Sequence, residues 1–446
     1  MIKKRNSKTT ILIIIFSLSL NLFAEKRNEV SYLRGPYNYD FFYRNNESYD
    51  MSSAIHFAHG YQHDILEKTP LSRHQPVDDE TYAKYLDYLY NPPKTEPTME
   101  YFGPYIARSM WQLYRAIDWT HMHHEQTYDI MSYQKIPWPD KKEWTDRSVR
   151  YYLDKFDIPR SIAPLDITMR RAGVMMKPYT TYFRNNYPKS NNYFYFAHWW
   201  HPIAYEAQMI GGNDSQQVAA LTDVDKLGKT IVVNDPPLRM LLSREVMPRY
   251  SRMSPESGNI FDNLHMLHGI AYDILAYEGW TIEEKKKELY RVINAMAYHP
   301  GDEKYVRKFQ LPHPDVDPRV YEPWMKTVEG DMNRMMREMM MEMMPLMMDV
   351  NSMSAQMHQK AMDQFMLKLT PGIQEGEFEG SISDAMKKVM PNMKMDEKSM
   401  SPGATPQKMI DAMLQGWHEK YGNLPDVEPI DMQNEPSLPP KQENRE

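Results

Sequence analysis

Asp118-Trp119-Thr120-His121-Met122-His123-His124-Glu125-Gln126-Thr127-Tyr128-Asp129 and Asp262-Asn263-Leu264-His265-Met266-Leu267-His268-Gly269-Ile270-Ala271-Tyr272-Asp273 share one skeleton, D-x-x-H-M-x-H-x-x-x-Y-D, 144 residues apart. Two looser copies, His56/His59/Asp64 and His198/His201/Glu206, lie 142 residues apart. The common pattern, H-x-x-H-x-x-x-x-[D/E], thus occurs four times, where composition alone gives an expectation of about 0.07. It takes up eight of the 15 histidines. The paired offsets read as a duplicated unit, with halves 51–135 and 192–280, each half supplying two helices related by a pseudo-twofold.

Helix geometry limits what this spacing can do. Histidines at i and i+3 share a face, about 4.5 Å apart along the axis, and the acid lies roughly 7.5 Å beyond the second one, rotated to the side. One straight helix cannot bring all three to a single ion. Four helices of alternating direction can, by setting the outer His of one beside the acid of its neighbour. The expected ligands are therefore His56, His59, Asp64, His121, His124, Asp129, His198, His201, Glu206, His265, His268 and Asp273, around two or more ions in a four-helix-bundle-like core. Asp118 and Asp262, which recur three residues before a motif histidine, and His63, Tyr128, Tyr205 and Tyr272, which precede the motif acids, are expected to orient those ligands. His123 and Glu125 are weaker candidates beside the second copy.

The His-x-x-x-x-Asp element resembles the last metal-binding helix of hemerythrins, and the scheme as a whole looks like the ferritin-type carboxylate bundles. The likeness spans six residues per copy and is one of architecture. It implies acids that ligate metal. The Glu-x-x-His and repeated His-x-x-x-Glu signatures of those families do not recur across the copies, with His121 and Glu125 the one isolated match.

The chain surrounding the repeat reads as mostly α-helical. Core helices are expected over about 51–68, 104–133, 192–211 and 259–278, Pro202 having to start, kink or break the third. Thr281 and Glu284 make a capping box for a further helix, and Thr230–Val233 is the one convincing strand candidate. Long Pro-rich connections join the helices within a core covering 25–310. A Pro-rich linker over 311–330, a Met-rich helical region over 331–424 and a polar tail over 425–446 follow. Residues 1–24 have a basic leader (Lys3, Lys4, Arg5, Lys8), an apolar run and Ala24, the pattern of a cleaved signal. The expectation is export to a periplasm or beyond, with no transmembrane span in the mature chain.

With no cysteine, the chain can form no disulfide, thiolate zinc site, iron–sulfur cluster or CxxCH haem attachment, so any metal must be held by His, carboxylate, Met, Tyr or backbone groups. A net charge of −7 without a basic stripe argues against nucleic acid as partner. There is no GxSxG, P-loop, GxGxxG or HExxH. Of the 38 methionines, ten fall between Met332 and Met348. Met332, Met335, Met336, Met339, Met340, Met343, Met344 and Met347 stand three and four apart. They can form a thioether face for Cu(I), an adaptable partner surface, or simply a core face with Met in place of Leu.

Copper leads as the metal, iron follows, and zinc comes third. The functions open to such a chain are metal storage, buffering or delivery to a partner protein, or an oxidoreductase acting with O2 or a small substrate through a redox partner. A scaffold with a structural His–Asp lattice is the third. Haem on facing histidines would leave the acids without a purpose.

Overall fold

A computed structural model describes residues 33–307, without 69–73, 94–98, 175–178 and 211–213, together with Met335. The leader, the Pro-rich linker, the tail and the expected thioether residues other than Met335 lie outside the described residues. Met335 itself is buried against the apolar core.

The described chain is helical, its β-content limited to one isolated bridge between Arg160 and Ala297. In order, the helices are α1 (Asp40–Arg44), α2 (Asn46–Lys68), α3 (His74–Tyr90), α4 (Met99–Phe102), α5 (Ile106–Ser109), α6 (Trp111–Ser132), α7 (Trp138–Lys155), α8 (Leu165–Ala172), α9 (Tyr182–Asn186), α10 (Pro188–Ile210), α11 (Asp214–Asn234), α12 (Ser243–Val246), α13 (Pro248–Met253), α14 (Pro255–Ala276) and α15 (Ile282–Ala295). A 3-10 turn, Asp302–Tyr305, follows.

The four motif copies sit on the long helices α2, α6, α10 and α14. Helices α2 and α6 each pack along α10 and α14, which leaves α2/α6 and α10/α14 facing each other across the bundle axis. The long helices end where the chemistry of their neighbours allows. Lys141 on α7 donates to the carbonyls of Ile130, Met131 and Tyr133 at 2.7, 2.7 and 2.9 Å, closing the C-terminus of α6. Lys285 on α15 does the same for Leu275 at the end of α14, at 2.6 Å. These cations meet the negative end of each helix dipole. The capping box at Thr281 and Glu284 starts α15 as the sequence reading expects.

One sequence expectation needs correction and another is narrowed. Thr230–Val233 is not a strand but the last turns of α11, which lies along α10. Gly228 makes that approach possible: a Cβ there would stand 2.9 Å from Met51 Cε and 3.3 Å from Phe196 and Trp200. Of the outcomes open at Pro202, starting and breaking are excluded, since α10 is continuous through it; there the proline lacks the amide that would bond to the carbonyl of His198, and its ring crowds that carbonyl.

Two apolar clusters occupy the two ends of the bundle. One gathers Leu66, Leu113, Ile117, Phe194 and Leu275; the other gathers Met51, Ile55, Ile130, Ile203 and Phe261. The composition of these ends fixes the helix directions: α2 runs with α14 and α6 runs with α10, so direction does not alternate strictly around the bundle. The layer between the plugs is histidine.

Candidate metal centre

Each core helix brings its two motif histidines to the bundle axis, as the i, i+3 spacing requires. All eight are buried, none more than 4% exposed. His59, His121 and His268, from three different helices, offer nitrogens that all lie within 4.8 Å of one another. This histidine-only cluster can coordinate a metal ion. His56 stacks on His121 with ring centroids 4.0 Å apart, and His198 lies 4.1 Å from His265. The remaining pairs link the eight rings into one continuous group.

Burial sets the protonation of this group. It pushes His56 down to about 4 and His265 to about 3. His59, His121, His124, His198, His201 and His268 are held well below the usual imidazole range, by burial first and then by the neighbouring imidazoles. The rings are therefore neutral at pH 7, the form that ligates metal.

The motif acids are placed elsewhere. Asp64 accepts the backbone N–H groups of Tyr105 and Ile106 at 2.9 and 3.0 Å, at the start of α5. Asp129 accepts those of Tyr39 and Phe41 at 2.8 and 2.9 Å, at the start of α1. Glu206 accepts those of Arg249 and Tyr250 at 3.0 and 3.2 Å in α13, with the Arg249 guanidinium at 2.8 Å. Asp273 accepts that of Phe183 at 2.7 Å in α9. Every acid thus holds the N-terminal turn of the short helix that leads into a core helix, satisfying amides that no helical carbonyl can reach. The ligating role implied by the carboxylate-bundle likeness is replaced by a capping one, because an acid five residues past the second His points away from the face that the histidines share.

The expected orienting residues divide. The Tyr205 hydroxyl lies 2.8 Å from His124 Nδ1 and 2.9 Å from the His124 carbonyl, and its ring stacks on Tyr128 at 4.1 Å. Tyr128 donates to the carbonyl of His201 at 2.8 Å. At the other pole the His63 and Tyr272 rings lie 4.7 Å apart, tilted at 44°, with His63 5.8 Å from the His268 ring. Asp262 instead accepts the Ser243 amide at 2.7 Å, and Asp118 takes the Tyr114 hydroxyl at 3.5 Å. His123 faces away from the cluster, between the hydroxyls of Ser257 and Ser148. Phe261, stacked at 3.6 Å on His124, is a residue the motif reading missed; an aromatic four residues before His265 is its only sequence signal.

Both ring nitrogens of His59, His265 and His268, and Nε2 of His124 and His201, are buried without a hydrogen-bond partner among the described residues. At about 1–3 kcal/mol for each unsatisfied buried atom, these atoms together approach the whole stability of a typical domain. A bundle held only by packing has no reason to carry them. No family model matches the chain, and no curated protein or solved structure matches it either.

Two outcomes follow from this placement. Asp129→Ala is expected to lower stability by about 1–2 kcal/mol in chemical denaturation, through the lost cap, while leaving metal stoichiometry intact; loss of metal with unchanged stability would restore the acid to the ligand set. The second concerns pH. As it falls below about 6.5 the unfolded imidazoles take up protons while the buried ones do not, and each costs the native state about 1.4 kcal/mol per pH unit until its own native value is reached. Asp129, raised by burial to about 8, Glu206 and Asp262, raised by burial to about 7, and Asp225, raised by burial to about 6, act in the opposite sense and favour the native state as pH falls. The lowered imidazoles, to which buried His63 and His123 add, outweigh these carboxyls. The metal-free protein should therefore show a falling denaturation midpoint between pH 6.5 and 5, and a level midpoint there would mean the cluster is hydrated.

Proposed function

We propose that this protein is an exported, internally duplicated helical-bundle metalloprotein that binds, stores or delivers transition-metal ions through its core histidines. The observation that carries the reading is the His59/His121/His268 cluster, three buried neutral imidazoles whose nitrogens converge, those of His59 and His268 with no protein partner among the described residues. Imidazole without thiolate suits copper, iron and zinc; copper is the leading choice, because export to an oxidising compartment and a methionine-rich C-terminal segment favour it. The leader over residues 1–24 supports export.

Support for duplication comes from contacts that recur at the sequence offset. Phe41 donates to Asp129 as Phe183 does to Asp273, and Lys141 closes α6 as Lys285 closes α14. Storage or delivery is preferred over catalysis because the core histidines are buried, none more than 4% exposed. A second reading, an oxidoreductase, draws on the Tyr205–His124 contact beside the stacked Tyr128, a phenol placed to exchange charge with a ligand.

Elemental analysis of protein isolated from its native compartment tests the proposal. Stoichiometric copper, reduced in the double variant His121→Ala/His268→Ala, is the expected result. A protein that is folded, metal-free and takes up no added copper, iron or zinc overturns it.

A further inference from the structure

The first cluster is not symmetric about the bundle axis by itself. Its three residues have counterparts 142 or 144 residues away: His201 for His59, His265 for His121, and His124 for His268. The ring-to-ring distances follow the same correspondence. In the first cluster they are 5.9 Å for His59–His121, 5.5 Å for His121–His268 and 4.5 Å for His59–His268. In the counterpart they are 6.2 Å for His201–His265, 5.7 Å for His124–His265 and 5.3 Å for His124–His201. Three imidazole rings on three helices therefore gather a second time, more openly than the first: only His59, His121 and His268 bring their nitrogens all within 4.8 Å of one another among the described residues.

We propose that His124, His201 and His265 form a second metal position, adjacent to the first and chemically distinct from it. The inference rests on the reading of the first cluster as a metal site and adds a residue-level second site to it. Nε2 of His124 and of His201, and both nitrogens of His265, are fully buried with no protein partner among the described residues. His124 is already set for the task. The Tyr205 hydroxyl occupies Nδ1 at 2.8 Å, fixes the ring plane and leaves Nε2 for an ion. A metal-bound histidine typically makes such a bond through its other nitrogen, and it raises the basicity of the ligand.

His56 and His198 join the two positions. His56 lies 4.0 Å from His121 and 5.1 Å from His201, while His198 lies 4.1 Å from His265 and 5.4 Å from His59. Each lies beside one member of either cluster and, with a single ring lone pair in the neutral form, can complete the shell of one ion and not of both. The distinction between the positions comes from their outer partners. The place that Tyr205 holds beside His124, with rings 5.8 Å apart, is held beside His268 by His63, also at 5.8 Å. One position has a ligand ring hydrogen-bonded to a phenol; the other has in that place a neighbouring imidazole, His63, that makes no hydrogen bond to His268, so the two ions should differ in affinity and in spectrum.

The test is titration of the full-length metal-free protein with Co2+, followed by native mass spectrometry and visible absorption. Two ions per chain are expected, filling in two steps. His124→Ala/His265→Ala should bind one, and so should His121→Ala/His268→Ala. Tyr205→Phe should still bind two but weaken one step about tenfold and change only that step's absorption bands; His63→Phe should alter the other step. Circular dichroism of each variant reports folding, and the wild-type stoichiometry is decisive without any variant. A single ion per chain, indifferent to His124→Ala/His265→Ala and lost in His121→Ala/His268→Ala, overturns the second position and leaves the metal reading standing. No bound ion at all overturns the metal reading itself.

Discussion

Eight imidazoles in a layer closed at both ends by apolar side chains have to satisfy their ring nitrogens inside the bundle. Each ring has two nitrogens, and a buried nitrogen without a partner carries its full desolvation cost. The rings stack on one another and on aromatic residues, yet stacking leaves the in-plane nitrogens unserved. A transition-metal ion takes one lone pair from each of several rings at once. The neutral state imposed by burial is the state such an ion needs, so the cost of the metal-free core and the readiness of the ligand set have one physical origin.

The acids of the motif solve a separate problem, that of turning the chain into each core helix. Four short helices, α1, α5, α9 and α13, precede the four long ones, and each exposes N-terminal amides inside the protein. A carboxylate from the helix on the opposite corner meets them: Asp64 on α2 serves α5 before α6, and Asp129 on α6 serves α1 before α2. Glu206 and Asp273 repeat the exchange between α10 and α14. The His pair and the acid of one motif thus act at different levels of the bundle. The pair faces the axis and supplies chemistry; the acid faces outward along the helix and fixes which diagonal helix lies opposite, and with it the position of the imidazoles.

The histidine layer was legible in the sequence because i, i+3 spacing has one structural meaning on a helix, and because four copies at paired offsets select four helices. The role of the acids was half-legible. Their distance of about 7.5 Å from the second His and their rotation off the shared face already separate them from the histidines, but nothing local in the sequence identifies the amides of residues 39, 105, 183 and 249 as their partners. Those contacts join segments 41–90 residues apart. Thr230–Val233 misled for the opposite reason. A β-branched run reads as strand, yet here Ile231 and Val232 bury against the bundle while Val233 is exposed, and that burial on one helical face overrides local propensity. The helix directions were not legible at all, since they depend on which helices share an apolar plug.

X-ray absorption at the metal edge of copper-loaded protein bears most directly on the claim that imidazoles alone build the centre. The account predicts a first shell of nitrogen at about 2.0 Å with the outer-shell scattering of histidine rings and no sulfur. A shell of carboxylate oxygen or thioether sulfur without imidazole scattering would place the metal outside the bundle core and contradict it.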